Sequence, residues 1–481
     1  MINNIFRKAI AVVIIPLFIG ASIIPLTIGI NEKIQELKEE KTFFIGFNPT
    51  GTTWYVDDDN TMGPWDGSQE HPFQHIQDGV DAANDGDTVF VYSGTYNRVY
   101  LRKSVNLFGE DKQTTCIISD IYGAAIGNWE YEEHLNDVTI SGFTIENINI
   151  NGVRREGIWL INSSYINIHD NIFNNFGTGG SAVYIQESSY INIYNNYIVK
   201  TAGINLEKSP NSIIQNNIIE DYRDATHQFW NACIALVWEC PNSLISGNNI
   251  TTDQDSGIVI NDNEHSSNHI ITDNNIIHKH HGILSMGSND VIKNNYISGG
   301  ICGIYASGGS NINISYNYIE NASYIHINEN GTGIQIQVLG GYNSLYRNII
   351  TYCDLGICVS FTYDITIAEN NITNCFYGIV IYNEPSNETF LNTSFKSTSY
   401  TENKIINNNF IDINYFTKFY FSNYFYNFWN QNYWGKTRQL PKLIIGYWTF
   451  SFLGKTFFIP AKLQIDWNPA KKPYDVPKYT G

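Results

Sequence analysis

Charge is scarce in this chain. Only 15% of its 481 residues are Asp, Glu, Lys or Arg, against roughly 25% in an ordinary soluble domain. Basic residues are the rarer sign, 28 against 46, which leaves a net charge of −18. Neutralising phosphates requires a basic face, so nucleic acid is excluded as a partner. Cysteine is sparse as well. Seven residues, an odd number spread from Cys116 to Cys375, make no disulfide framework. Cys353 and Cys375 occupy matching places in successive repeats and read as buried thiols, with a bridge as the alternative in an oxidising compartment. Strong helix formers are few. Asn, Ile, Tyr, Ser and Gly dominate instead, and 32 Tyr and 26 Phe bias the chain toward strands and tight turns. A hydrophobic share of 43% supplies a core and excludes disorder.

The N-terminus reads as a targeting segment. Arg7 and Lys8 precede Ala9 to Ile30, 22 residues without a charge, long enough to span a bilayer as a helix. The basic flank before the run orients the rest of the chain outside the cytoplasm. Residues 1–30 are thus a signal peptide or an uncleaved anchor, and the missing small-x-small site favours the anchor. Residues 31–53 form a linker.

The middle of the chain is one motif written about ten times. A small residue followed by a β-branched one recurs at Gly157-Ile158, Ala182-Val183, Gly203-Ile204, Gly257-Ile258, Gly282-Ile283, Gly303-Ile304, Gly333-Ile334, Gly356-Ile357 and Gly378-Ile379. Cys233-Ile234 completes the series. An Asn recurs about fourteen residues later, at Asn171, Asn196, Asn217, Asn249, Asn275, Asn295, Asn317, Asn348, Asn371 and Asn409. Stretches such as Tyr165-Ile166-Asn167-Ile168 alternate with the period of strands. A period near 22 with two or three short strands is one coil of a parallel β-helix, whose coils must stack to bury their Ile and Val. The Asn fits a turn with left-handed backbone, its side chains stacked in a ladder. Ile158, Ile204, Ile258, Ile283, Ile304, Ile334, Ile357 and Ile379 are expected to face inward.

This cadence, with Trp54-Tyr55-Val56-Asp57, His71-Pro72-Phe73 and Gly94-Thr95-Tyr96 before it, resembles right-handed parallel β-helix repeat proteins. That pectin-lyase-like group includes carbohydrate-binding β-helix domains and NosD-type periplasmic copper-accessory proteins. The resemblance covers roughly residues 54 to 412 and implies an all-β, single-stranded solenoid. It does not imply one activity, because the fold hosts lyases, hydrolases, epimerases and inert spikes. The Asn-Thr-Asp, Gly-Asp-Asp and Gly-His-Gly blocks of polygalacturonases are missing, and so is a Met- or Cys-rich copper box. Both ends of such a solenoid need caps. Phe73 to Asn84 reads as an amphipathic helix at one end, and residues 413–481, beginning with an aromatic tract, form the other cap.

Register arithmetic selects one corner for chemistry. After Asn217 come Asp221 and Asp224, after Asn249 come Asp253 and Asp255, and after Asn275 come His278 and His280. Equal offsets place these loops on successive coils, with His227 and Trp230 in a long loop beside them. Asp221, Asp253, Asp255, His278 and His280 are the candidate catalytic group, and Asp224, His227 and Trp230 the candidate substrate contacts. Paired carboxylates suit acid and base work on a glycosidic bond. A divalent metal is the second use of the patch, and a charge-compensated polar corner is the third. The expectation is an exported, membrane-tethered protein at the cell surface that binds, and in one version processes, a polysaccharide or envelope polymer, as a lyase, hydrolase or epimerase. A non-catalytic platform and a NosD-like metal accessory stand as alternatives.

Overall fold

The computed structural model describes residues 51–481 apart from 120–122, 129–132, 148–154, 175, 177–179, 222–231, 254–255, 262–266, 324–330, 338–340, 361, 363, 383–400, 414, 421–424, 436–440, 453–454 and 476–481. The expected signal or anchor at residues 9–30 lies outside them. No helix among the described residues is long and apolar enough to cross a membrane.

Each coil contributes one short strand to each of three sheets, in the repeating order C, A, B. Among the described residues, sheets A and C have fifteen strands and sheet B thirteen. Neighbours within a sheet come from successive coils and pair in parallel. In sheet A, for example, Ile193 pairs with Ile214, which pairs with Ile245, then Ile271 and Ile292. Like residues stack on like residues because the repeat length holds the register. All eight isoleucines expected to face inward are fully buried, and they join one continuous core running along the stack.

The Gly of the Gly-Ile anchor has a steric cause. A Cβ on Gly333 would lie 2.4 Å from Ile350 Cγ2 and 2.7 Å from the carbonyl oxygen of Gly356 in the next coil. Sheet C turns inward here, and its backbone touches the side chains of sheet B.

A second column stiffens the turn from sheet A to sheet B. Asn171, Asn196, Asn217, Asn248, Asn274, Asn295, Asn317, Asn348, Asn370, Asn408 and Asn432 are almost completely buried. Each Nδ2 donates to the next Oδ1 at 2.9–3.2 Å. The same oxygen also accepts the backbone N–H of the preceding ladder Asn, as Asn274 Oδ1 does from Asn248 at 3.0 Å. The left-handed residue is the one before the ladder, for instance Asn195, Asn216 and Asn294. In the doublets Asn195-Asn196, Asn216-Asn217 and Asn294-Asn295 the first therefore takes the strained backbone and the second the buried hydrogen bonds, whereas Gly247, Asp273 and Glu369 take the left-handed backbone before Asn248, Asn274 and Asn370.

Near the N-terminus the helix α1 (Ile76–Ala82) buries Ile76, Gly79 and Val80, and Ile76 and Val80 join the continuous core. At the far end the pattern changes. Strands Lys442–Phe452 and Lys455–Asp466 pair antiparallel and finish sheet C. Trp429 and Trp434 are buried in the last coils, and Trp434 stacks on Phe410 with ring centroids 4.8 Å apart. All seven cysteines are free, and Cys353 and Cys375 are buried and adjacent.

Candidate functional site

The Asn ladder corrects the register behind the expected corner. Its members are Asn248, Asn274, Asn370 and Asn408, each one residue earlier than the Asn249, Asn275, Asn371 and Asn409 read from the sequence. A slip of one residue turns a strand's side chains over. Asp221 therefore pairs with Thr252, not Asp253. Thr251 pairs with Ile277, so the same register carries Thr252 to His278, which pairs with Gly299. Asp221, Thr252 and His278 thus occupy one inward column, with exposures of 0, 3 and 3%. Asp221 and His278 stand behind the coil wall, two rungs or roughly 10 Å apart.

Asp253 lies one position further on and is half-buried. Its N–H donates to the Asp221 carbonyl at 3.3 Å, while its Oδ1 is buried without a hydrogen-bond partner among the described residues. His280 and His281 are half-buried and meet edge to face at 4.2 Å. His281 also stacks on Tyr305 at 5.6 Å. The three imidazoles are close enough to interact electrostatically. Burial, then His281 and His280, push His278 down to about 3. Burial and His280 push His281 down to about 4. Neither ring nitrogen of His278 meets a partner at hydrogen-bonding geometry among the described residues. Its ring lies so close to Gly300, at φ 66°, that a Cβ there would come within 2.3 Å of Nδ1. The His278 and His281 rings are held neutral, and no three His, Cys, Asp or Glu side chains among the described residues converge as metal ligands. Asp224, Asp255, His227 and Trp230 lie outside the described residues.

A better-built polar surface sits on the outer face of sheet C, in the coil that carries Asp221 and the two coils before it. Trp159, Tyr184 and Asn205 form an outward column on the strands Arg155–Ile161, Val183–Gln186 and Ile204–Glu207, with Gln186 and Glu207 beside it. Trp159 Nε1 donates to Gln186 Oε1 at 3.0 Å. Gln186 Nε2 donates to Glu207 Oε2 at 3.2 Å, and the Tyr184 hydroxyl donates to the same oxygen at 2.6 Å. The Trp159 and Tyr184 rings lie 5.6 Å apart. Asn205 Oδ1 is buried without a hydrogen-bond partner among the described residues. The arrangement holds an indole, a carboxylate and the Gln186 amide joined to one another across coils, with the Tyr184 ring itself buried. The sequence held this signal: one residue after each inward anchor must face outward, and three successive coils place Trp, Tyr and Asn there. The same column then becomes Ala235, Val259 and Leu284, which pack into an apolar cluster of their own.

The sequence matches the family model for the right handed beta helix region over residues 134–291 and 265–427. The chain belongs to that family. No curated protein matches it. Solved structures share the fold at low identity. DFA-IIIase from Arthrobacter chlorophenolicus A6, in complex with DFA-III, is 13% identical over 66% of this chain and 94% of its own, with a TM-score of 0.50. Tailspike protein 3 of bacteriophage CBA120 is 10% identical over 77% of this chain and 59% of its own, with a TM-score of 0.51. At these identities the likeness is one of fold.

Proposed function

We propose that this β-helix protein binds an extended polysaccharide outside the cytoplasm, tethered through residues 9–30. The observation that carries the reading is the Trp159–Gln186–Glu207–Tyr184 network on the outer face of sheet C. An aromatic face stacks on the apolar side of a sugar ring, while carboxylate and amide groups exchange hydrogen bonds with its hydroxyls. Holding those groups in place before binding reduces the entropy lost on association. A net charge of −18 disfavours polyuronates, so the preferred polymer is neutral. The half-exposed Asp253 and His280 belong, in this reading, to the edge of the same surface. Inward-facing Asp221 and His278 serve the fold. The helix Ile76–Ala82 serves as the cap of the first coil. The family membership supports the stacked scaffold, and the structure of DFA-IIIase with DFA-III bound supports a ligand on such a scaffold.

Affinity electrophoresis of the full chain against neutral and uronic-acid polymers tests the proposal. Retardation by a neutral polymer is expected, weakened roughly tenfold in Trp159→Ala with an unchanged thermal midpoint. If no polymer retards the protein, or if Trp159→Ala binds like the parent, the reading fails.

A further inference from the structure

A cleft of about 500 Å³ beside α1 is lined by Trp65, Phe73, Gln74, His75, Asp78 and Asp81. It lies far in sequence from the sheet C surface and does not depend on the polysaccharide reading. Trp65 is 49% exposed, yet it is held in place. Its Nε1 donates to the Asn60 carbonyl at 2.7 Å. The Asn60 amide in turn donates to the carbonyls of Pro64 and Pro72 at 3.2 and 2.7 Å. Gly63, at φ 62°, lies under the ring so closely that a Cβ would sit 3.3 Å from it. Phe73 backs the cleft and stacks on Trp54 at 6.0 Å. A large indole left half in water but fixed by its hydrogen bond and by Gly63 beneath it is a surface waiting for an apolar contact.

The rest of the lining fixes the charge of that contact. Asp78 and Asp81 are exposed and stand three residues apart on one helical face. Asp81 Oδ1 accepts from Gln77 Nε2 at 3.0 Å. The nearby ammonium of Lys103 is taken up by the backbone carbonyls of Asp81 and Ala83 at 2.7 and 2.5 Å, leaving the carboxylates uncovered by it. A bare metal ion would need converging ligands, and no three suitable side chains do so among the described residues. A cation with an apolar coat needs only an aromatic face and a nearby counter-charge.

We propose that this cleft binds an organic ammonium ion, with its methyl or methylene groups against Trp65 and its charge facing Asp78 and Asp81. The test is isothermal titration of the full chain with choline chloride, its neutral isostere 3,3-dimethylbutan-1-ol, and calcium chloride. Saturable choline binding is expected, weakened roughly tenfold in Trp65→Ala and again in Asp78→Asn/Asp81→Asn. The neutral isostere should give no saturable heat. Because all three side chains are exposed, a thermal midpoint equal to the parent's confirms that each variant is folded. No choline binding, equal binding of the isostere, choline binding untouched by Trp65→Ala, or calcium that excludes choline would each overturn the proposal. None of these results bears on polymer binding at Trp159.

Discussion

Asn274 shows how much one residue does in this fold. Its Nδ2 donates to Ile245 O, Thr272 O and Asn295 Oδ1, and its Oδ1 accepts from Asn248 N–H and Nδ2. Replacing it with Leu of similar bulk leaves several buried polar groups unpaired, each costing about 1–3 kcal/mol. Asn274→Leu is expected to lose at least about 3 kcal/mol in urea unfolding, and a loss under 1 kcal/mol would show that the ladder is ornamental. His278 carries the acid response. Its folded value of about 3 and the value of about 4 for His281 lie below the unfolded value of about 6.5. The folded state therefore keeps neutral rings, and the unfolded chain takes up protons first. The stability they contribute is complete above about pH 6.5 and is lost as pH falls toward the folded values. Asp290 acts in the opposite sense. Burial raises its value, so its contribution holds at low pH and fades as pH rises. Between pH 7.5 and 5.0 the parent should lose about 2 kcal/mol more than His278→Leu, measured by denaturant midpoints at both values. Parallel losses would assign the acid response elsewhere.

At the scale of the coil, the Gly-Ile anchor and the Asn turn carry unequal information. The close approach at Gly333 leaves its Cβ no room, so Gly333→Ala is expected to cost about 1–3 kcal/mol by overpacking, read as a fall in thermal midpoint. An unchanged midpoint would mean that Ile350 can withdraw. Because Gly, Ala or Cys stands at every anchor from Gly157 to Gly378, the anchors set the register of sheet C from sequence, and every expected inward Ile is buried there. The Asn signal is ambiguous wherever two Asn adjoin, as at 248–249, 274–275, 370–371 and 408–409. What resolves it is the residue two positions after the ladder Asn, which is always apolar and inward: Phe173, Ile198, Ile219, Ile250, Ile276, Ile297, Ile319, Ile350, Ile372 and Phe410. Missing that parity set Asp221 beside Asp253 and brought an inward aspartate into an outward site. The Trp159 surface was legible by the same counting, since alternation alone sends its side chains outward. The clasp of Trp159 on Gln186 was not legible, because it depends on rotamers across coils.

For the whole molecule, excess negative charge and the open ends of the stack set the limits. Ion pairs such as Lys208–Glu187 at 3.0 Å and Arg347–Glu369 at 2.7 Å offset little of a charge of −18. Self-repulsion should therefore dominate at low salt. Raising sodium chloride from about 0.01 to 0.15 M, which shortens the screening length from about 30 to 8 Å, is expected to raise the thermal midpoint; a fall would mean that local pairs outweigh repulsion. The ladder also needs an ending, because its last Asn would otherwise donate into nothing. Asp466, on the final antiparallel strand, supplies it. Its carboxylate accepts from Asn432 N–H and Nδ2, Gln431 N–H and the Trp434 indole at 3.0–3.3 Å. One acceptor thus joins the hairpin to the ladder and to the aromatic fill of the last coils. In a solenoid each coil is stabilised mainly by its neighbours, so damage at one end spreads inward from there. Asp466→Ala should lower amide protection first in the strands Thr401–Ile406 and Asn409–Ile411, while Ile204–Glu207 keeps its protection. Hydrogen exchange read by mass spectrometry separates the outcomes. Loss spread evenly along the stack would mean that the coils unfold as one unit and that Asp466 is not where the stack begins to open.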